Sequence, residues 1–132
     1  MGTYTLAIGN REPFAREVGA RGDVAFPAGA YAYTGSVPGD SFARVRRHEE
    51  LCAGERETTH WHVDYLLAAD STEIVAVFTT ADDAECAVVR EISADAFGEL
   101  GASDCTRCRS HVHFEASRET LLRELDAVYR SF

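Results

Sequence analysis

Ala30-Tyr31-Ala32-Tyr33-Thr34-Gly35 alternates small and aromatic side chains and stops at a glycine. Alternation with a period of two sends successive side chains to opposite faces of a strand, so this stretch reads as a main strand. Just beyond it, Pro38-Gly39 makes a turn, and Asp40 or Ser41 is placed to cap a helix. That helix is expected from about Phe42 to Cys52. Its apolar stripe is thin, limited to Phe42 and Val45, while Arg44 and His48 lie four apart and share a face. Upstream, residues 3–8 (T-Y-T-L-A-I) alternate in the same way and read as a second strand. Gly9, Asn10, Pro13, Gly19 and Gly22 make residues 9–23 a loop or short twisted hairpin, followed by a short strand from Val24 to Phe26.

Downstream, Thr58 or Thr59 is positioned to cap a helix over about His60 to Ala69, with Trp61, Tyr65 and Leu66 at helical spacing. Residues 73–79, E-I-V-A-V-F-T, are apolar enough to suggest a central, buried strand. Thr80 is expected to cap a helix through Asp82 to Ile92 that turns Cys86, Val89 and Ile92 to the core. Val112 to Phe114 reads as a short strand. Ser117 then opens a last helix with Leu121, Leu122, Leu125 and Val128 in one stripe. The order predicts an α/β (α+β) fold, a small and mostly antiparallel central sheet flanked by helices. Residues 1–132 contain no internal repeat, low-complexity segment or linker, and read as a single domain.

Composition bounds the setting. Hydrophobic residues make up 45% and charged residues 27% of 132, which supports a packed core and argues against disorder. No apolar run approaches the roughly 20 residues that span a bilayer. The first residues show no basic stretch followed by a long apolar run, so a cytoplasmic location is expected. Twenty-two acids face 13 bases, and every base is arginine. An acidic, lysine-free surface suits concentrated salt, where the Debye length is only ~3 Å at about 1 M and self-repulsion is cheap. We therefore expect a halophilic protein; arginine-favouring codon usage explains the missing lysine but not the acid excess. A net charge of −9 by itself opposes binding to phosphates. The bases are nevertheless clustered, with Arg44, Arg46 and Arg47 in one run and Arg107 near Arg109. The four cysteines, Cys52, Cys86, Cys105 and Cys108, are expected as reduced thiols or metal ligands.

Gly2-Thr3-Tyr4 and Tyr33-Thr34-Gly35 each sit on an expected strand, followed by a helix carrying Ala43-Arg44-Val45-Arg46-Arg47-His48. This arrangement resembles the GIY-YIG nuclease superfamily. Nearly the whole chain is similar to a small branch of it, of unknown biochemical role and sometimes labelled endonuclease-III-related. The likeness runs through F-P-A-G-A-Y-A-Y-T-G-S, H-W-H-V-D-Y-L-L, A-E-C-A and S-D-C-T-R-C-R-S-H. Three departures stand out. Residues 5–32 separate the two tyrosines, a longer spacing than the superfamily has in general, and the extra segment is expected to form a hairpin at 10–28. The superfamily often adds an asparagine after its glutamate, whereas the only asparagine here is Asn10, which leaves that role vacant or to Ser110 or His111. The middle residue of each motif is threonine, expected to face away from the site.

The resemblance implies a divalent-metal-dependent endonuclease that hydrolyses DNA, serving in repair. Tyr4 or Tyr33 would act as general base toward water, a role that needs Arg44 and a bound cation to lower a phenol pKa near 10. Arg44 would neutralise the phosphoryl oxygens. Glu85 would hold magnesium or manganese. Gly35 would let the phosphate approach the backbone, His48 would assist proton transfer, and Arg46, Arg47 and Trp61 would meet substrate. Without that context each residue has a plainer reading: core tyrosines, a solvated arginine, a glutamate at a helix start. A second cluster, His60, His62, Cys105, Cys108 and His111, with His113 nearby, suits tetrahedral zinc as an alternative. Cys52 and Cys86 read as ordinary core residues. The competing function is a nuclease-like module that binds nucleic acid or a protein without turnover, with or without zinc.

Overall fold

The computed structural model describes residues 2–17, 22–37, 43–53, 62–97 and 111–132. Strands β1 (Gly2–Asn10), β4 (Gly29–Val37), β5 (Thr72–Thr80), β6 (Asp95–Ala96) and β7 (Val112–Glu115) form a five-stranded sheet in the order β5-β1-β4-β7-β6. Every pairing in it is antiparallel. β2 (Phe14–Glu17) and β3 (Asp23–Phe26) make a separate antiparallel hairpin. The helices are α1 (Ala43–Cys52), α2 (His62–Leu67), α3 (Glu85–Glu91) and α4 (Arg118–Tyr129). The mixed fold and the hairpin within the long spacing agree with the sequence. The caps expected from Asp40, Ser41, Thr58 and Thr59, the start of the second helix, and the polar turn at 105–110 lie outside the described residues.

The period-two alternation of β1 and β4 sorts the core into two layers. Tyr4, Leu6, Ile8, Tyr31 and Tyr33 face one side, where they pack with Val45 of α1, Leu66 and Leu67 of α2, and Phe26 of the hairpin. Ala7, Ala30 and Ala32 face the other, where Val88 of α3 and Leu121, Leu125 and Val128 of α4 cover them. Small residues on that second face let α4 lie close to the sheet. Each buried leucine or valine contributes about 1.5–3 kcal/mol of burial. Ser117 caps α4 as expected, its side chain accepting from Thr120 N at 3.3 Å. A polar seam runs through the second layer, where Thr5 Oγ1 meets Thr34 Oγ1 at 2.8 Å and the Tyr129 hydroxyl at 2.6 Å. Burial pushes the Tyr129 phenol up to about 12, opposed by its bond to Thr5.

Three expectations are corrected. The apolar β5 is an edge strand of the described sheet rather than a central one; most of its residues are only half-buried, and Val77 is 38% exposed. Its apolar run reflects helices on both faces, not strands on both edges. α3 starts at Glu85, its cap position is Ala84, and no side chain caps it. Thr80 Oγ1 accepts from Asp82 N at 3.3 Å, ahead of the helix, and Thr3 takes the entrance itself: Thr3 Oγ1 donates to Asp82 O and accepts from Ala84 N, both at 2.9 Å. The most deeply buried residue of α3 is Val88, which the expected stripe omitted, while Cys86 is half-buried.

The insert is wired into the first layer through aromatic rings. Phe14 stacks on Phe26 at 5.0 Å, and Phe26 stacks on Phe97 at 5.4 Å. Tyr31 meets Phe97 and Phe114 edge-on at 5.3 and 5.1 Å. Asn10 Nδ2 donates to Pro27 O at 3.0 Å and closes the base of the hairpin.

His113 gives the second layer a pH dependence. It is 4% exposed on β7, and its Nδ1 has no hydrogen-bond partner among the described residues. Burial above all, with His111 nearby, holds its pKa below the ordinary 6.5, and Glu124 opposes this. The stability due to a neutral His113 is full above the ordinary value and is lost as pH falls through the lower folded-state value. Melting temperature should therefore drop on acidification below about pH 6.5, and the drop should be shallower in His113→Leu.

Candidate active site at one end of the sheet

β1 begins, and β4 and β5 end, at the same end of the sheet. The register there pairs Tyr4 with Gly35 and with Thr79. α1 follows β4 and α3 follows β5, so their first residues are delivered to this end. On the α1 face, the Tyr4 hydroxyl and His48 Nε2 share a hydrogen bond of 2.8 Å. Tyr33 completes the cluster, its ring 6.1 Å from Tyr4 and 5.6 Å from His48, the latter edge-on. Tyr4 is 1% exposed and His48 0%. A hydroxyl and an imidazole nitrogen buried this deeply are costly unless they are hydrogen-bonded, and the Tyr4 hydroxyl and His48 Nε2 satisfy each other.

Gly35 accommodates that pair. A Cβ there would come within 2.7 Å of the Tyr4 hydroxyl oxygen and 2.8 Å of its Cζ. The glycine was expected to let a phosphate approach the backbone, but the space left by its missing side chain holds the Tyr4 phenol. Gly35→Ala should push the phenol off His48 at a cost of about 1–3 kcal/mol. A thermal melt reads that cost.

On the α3 face, His111 Nδ1 lies 2.8 Å from Glu85 Oε1, with the side chains 3% and 26% exposed. His111 is fixed to β4 through its carbonyl, which accepts from Thr34 N at 3.0 Å. Glu85 is fixed to β1 through Ala84, whose amide donates to Thr3. The motif threonines thus do face away from the tyrosines, and they anchor the glutamate side of the site.

The candidates are therefore only partly gathered. Tyr4, Tyr33 and His48 form one cluster, with Gly35 beneath Tyr4. Glu85 does not join it: α3 packs on the opposite face of the sheet, and the recorded partner of Glu85 is His111. Arg44 and Arg47 lie in α1, Arg44 one turn before His48, but their side chains lie outside the described residues; Arg46 is exposed. Trp61, His60, Cys105 and Cys108 are outside the described residues, as is the side chain of His62, so the zinc set has only His111 in view. Among the described residues, no group of three or more His, Cys, Asp or Glu is arranged to hold a metal. Cys52 and Cys86 are half-buried, and burial first raises the Cys52 thiol above its ordinary value. The Glu85–His111 pairing escaped the sequence reading, although the alternation His111-Val112-His113 signals that both histidines face the α3 side of β7.

A magnesium or manganese ion fits this donor set in one way. Such hard ions take one or two carboxylates and complete their shell with water and substrate phosphate. Glu85 is a partly exposed carboxylate with Oε1 oriented by His111, which suits a single-carboxylate site.

The arginines of α4 and of its C-terminal cap are committed within the protein: Arg118 to Glu73 at 3.0 Å, Arg123 to Glu119 at 2.6 Å and Arg130 to Asp126 at 2.7 Å. Among the described residues, no helix is long and apolar enough to cross a membrane. The model of a family described as "Domain of unknown function DUF123" matches residues 3–132. No curated protein and no solved structure matches the chain.

Proposed function

The chain belongs to the DUF123 family, and from that premise we propose that it is a divalent-metal-dependent endonuclease that hydrolyses DNA phosphodiester bonds. The observation that carries this reading is the 2.8 Å bond between Tyr4 and His48. It pairs a tyrosine of the first motif with the helix histidine one turn after Arg44, as the resemblance to GIY-YIG nucleases implies. His48 Nε2 draws the proton of the phenol, and the Tyr4 oxygen becomes the base that takes a proton from the attacking water. Tyr33 closes the edge of the imidazole and limits its rotation. Arg44, with Arg46 and Arg47 on the same helix, supplies local positive charge to a chain of net −9 and neutralises the phosphoryl oxygens. Glu85, at the same end of the sheet but on the face opposite Tyr4, would hold the cation. When bound, magnesium or manganese relieves charge on the phosphate and on the leaving oxygen.

A second reading, a nuclease-like module that binds nucleic acid without cutting, is favoured by the deep burial of Tyr4 and His48 and by the placement of Glu85 across the sheet. A plasmid-nicking assay with magnesium or manganese in high salt separates the two, comparing wild type with Arg44→Ala and Glu85→Ala. Nicking by wild type alone supports the enzyme. Equal nicking by all three identifies a contaminant, and binding without nicking supports the module.

A further inference from the structure

We infer that His111 is the positioning residue of Glu85, an inference that rests on the metal-dependent reading of this end of the sheet. The pair is asymmetric. His111 is 3% exposed and its carbonyl is bonded to Thr34 N, so its ring moves with β4. Glu85 is 26% exposed and reaches toward solvent from the first turn of α3. One carboxylate oxygen, Oε1, accepts from Nδ1 at 2.8 Å. This bond places a proton on Nδ1, and it fixes the plane in which the carboxylate presents its remaining lone pairs. Carboxylates that ligate metals are commonly held in this way by a partner that does not itself touch the ion.

The anchoring extends to the tyrosine-bearing strands. Thr34, which holds His111, directly precedes Gly35; Thr3, which holds the entrance to α3 through Ala84 N and Asp82 O, directly precedes Tyr4. Glu85 is thus tied from two sides to the register row in which Tyr4 faces Gly35. An ordinary surface ion pair has two mobile partners and little reason for such anchoring. Here one partner is built into the sheet and the other is directed by it. The cation expected on Glu85 is of the magnesium and manganese class, which accepts few protein ligands.

Manganese affinity of the full chain, measured by calorimetry or by the electron paramagnetic resonance of free ion, tests this without any activity readout. The variants are His111→Ala, His111→Asn and Glu85→Gln, each with a thermal melt. Asparagine is included because its Nδ2 falls near the place of Nδ1 and can donate to Oε1. Wild type should bind one manganese ion, and Glu85→Gln should lose it. His111→Ala should bind about ten- to a hundredfold more weakly, and His111→Asn should recover most of that loss at whatever melting temperature it shows. Unchanged affinity in His111→Ala, with loss in Glu85→Gln, overturns the role of His111 and leaves the metal reading standing. Equal weakening in His111→Ala and His111→Asn also overturns it, because support from the bulk of the ring would then be the cause. No binding by wild type, or equal binding by Glu85→Gln, overturns both.

Discussion

Tyr4→Phe should lower the nicking rate by about 10²- to 10⁴-fold, the usual contribution of a positioned acid or base, while the protein still folds. The substitution removes one oxygen and keeps a ring that is 1% exposed in a layer with Leu6, Ile8 and Tyr33. It also strips His48 Nε2 of its partner at 2.8 Å. Leaving that buried nitrogen unsatisfied costs about 1–3 kcal/mol, and a melt would register it. The two effects are separable, because a stability loss of that size shifts the melting curve but does not remove thousandfold activity at a temperature where the variant is folded. His48→Ala should inactivate similarly. The double variant should lose little beyond either single one, since the two residues act as one unit. A Tyr4→Phe variant that cuts at the wild-type rate would make the pair a packing feature only.

Tyr31→Ala should be the most destabilising single change among those discussed, at about 3–5 kcal/mol. The ring is 0% exposed and touches Phe26 at 6.2 Å, Phe97 at 5.3 Å and Phe114 at 5.1 Å, so its loss leaves a cavity where the hairpin, β4 and β7 meet. Its hydroxyl donates to Pro27 O at 2.6 Å, and burial raises its pKa. Tyr31→Phe should therefore cost only about 1 kcal/mol, the net worth of one hydrogen bond. Urea unfolding reads both. A cost near 1 kcal/mol for both variants would mean that the hairpin lies loosely on the sheet rather than completing its core.

The strands were legible because alternation is a strong local signal: Tyr31, Tyr33 and Gly35 against Ala30, Ala32 and Thr34 reads directly as two faces. α4 was legible for the same reason, with apolar residues at helical spacing and a serine cap. The position of β5 was not legible. An apolar run records how well a strand's faces are covered and says nothing of whether its outer edge is paired, so Thr72–Thr80 looked central and is an edge strand. The start of α3 was missed because its entrance is held by Thr3, 79 positions away from Asp82 along the chain, and no local cap encodes that.

The site divides along the same line. Tyr4, Tyr33, Gly35 and His48 came from motif and spacing, and three of their side chains meet. The pairing of Glu85 with His111 depends on α3 crossing to the far face and on the register of β7 against β4, both of which are tertiary facts. The roles of the two motif threonines as anchors follow from those same contacts and have no counterpart in the spacing of the motif.

Cation dependence tests the proposed activity most directly. Protein stripped of metal with a chelator, then assayed on supercoiled plasmid in high salt, should not nick until magnesium or manganese is returned. Glu85→Gln prepared alongside should stay inactive at every cation concentration. Nicking that persists in chelator, or that Glu85→Gln shares with wild type, would contradict a metal-dependent nuclease at this end of the sheet.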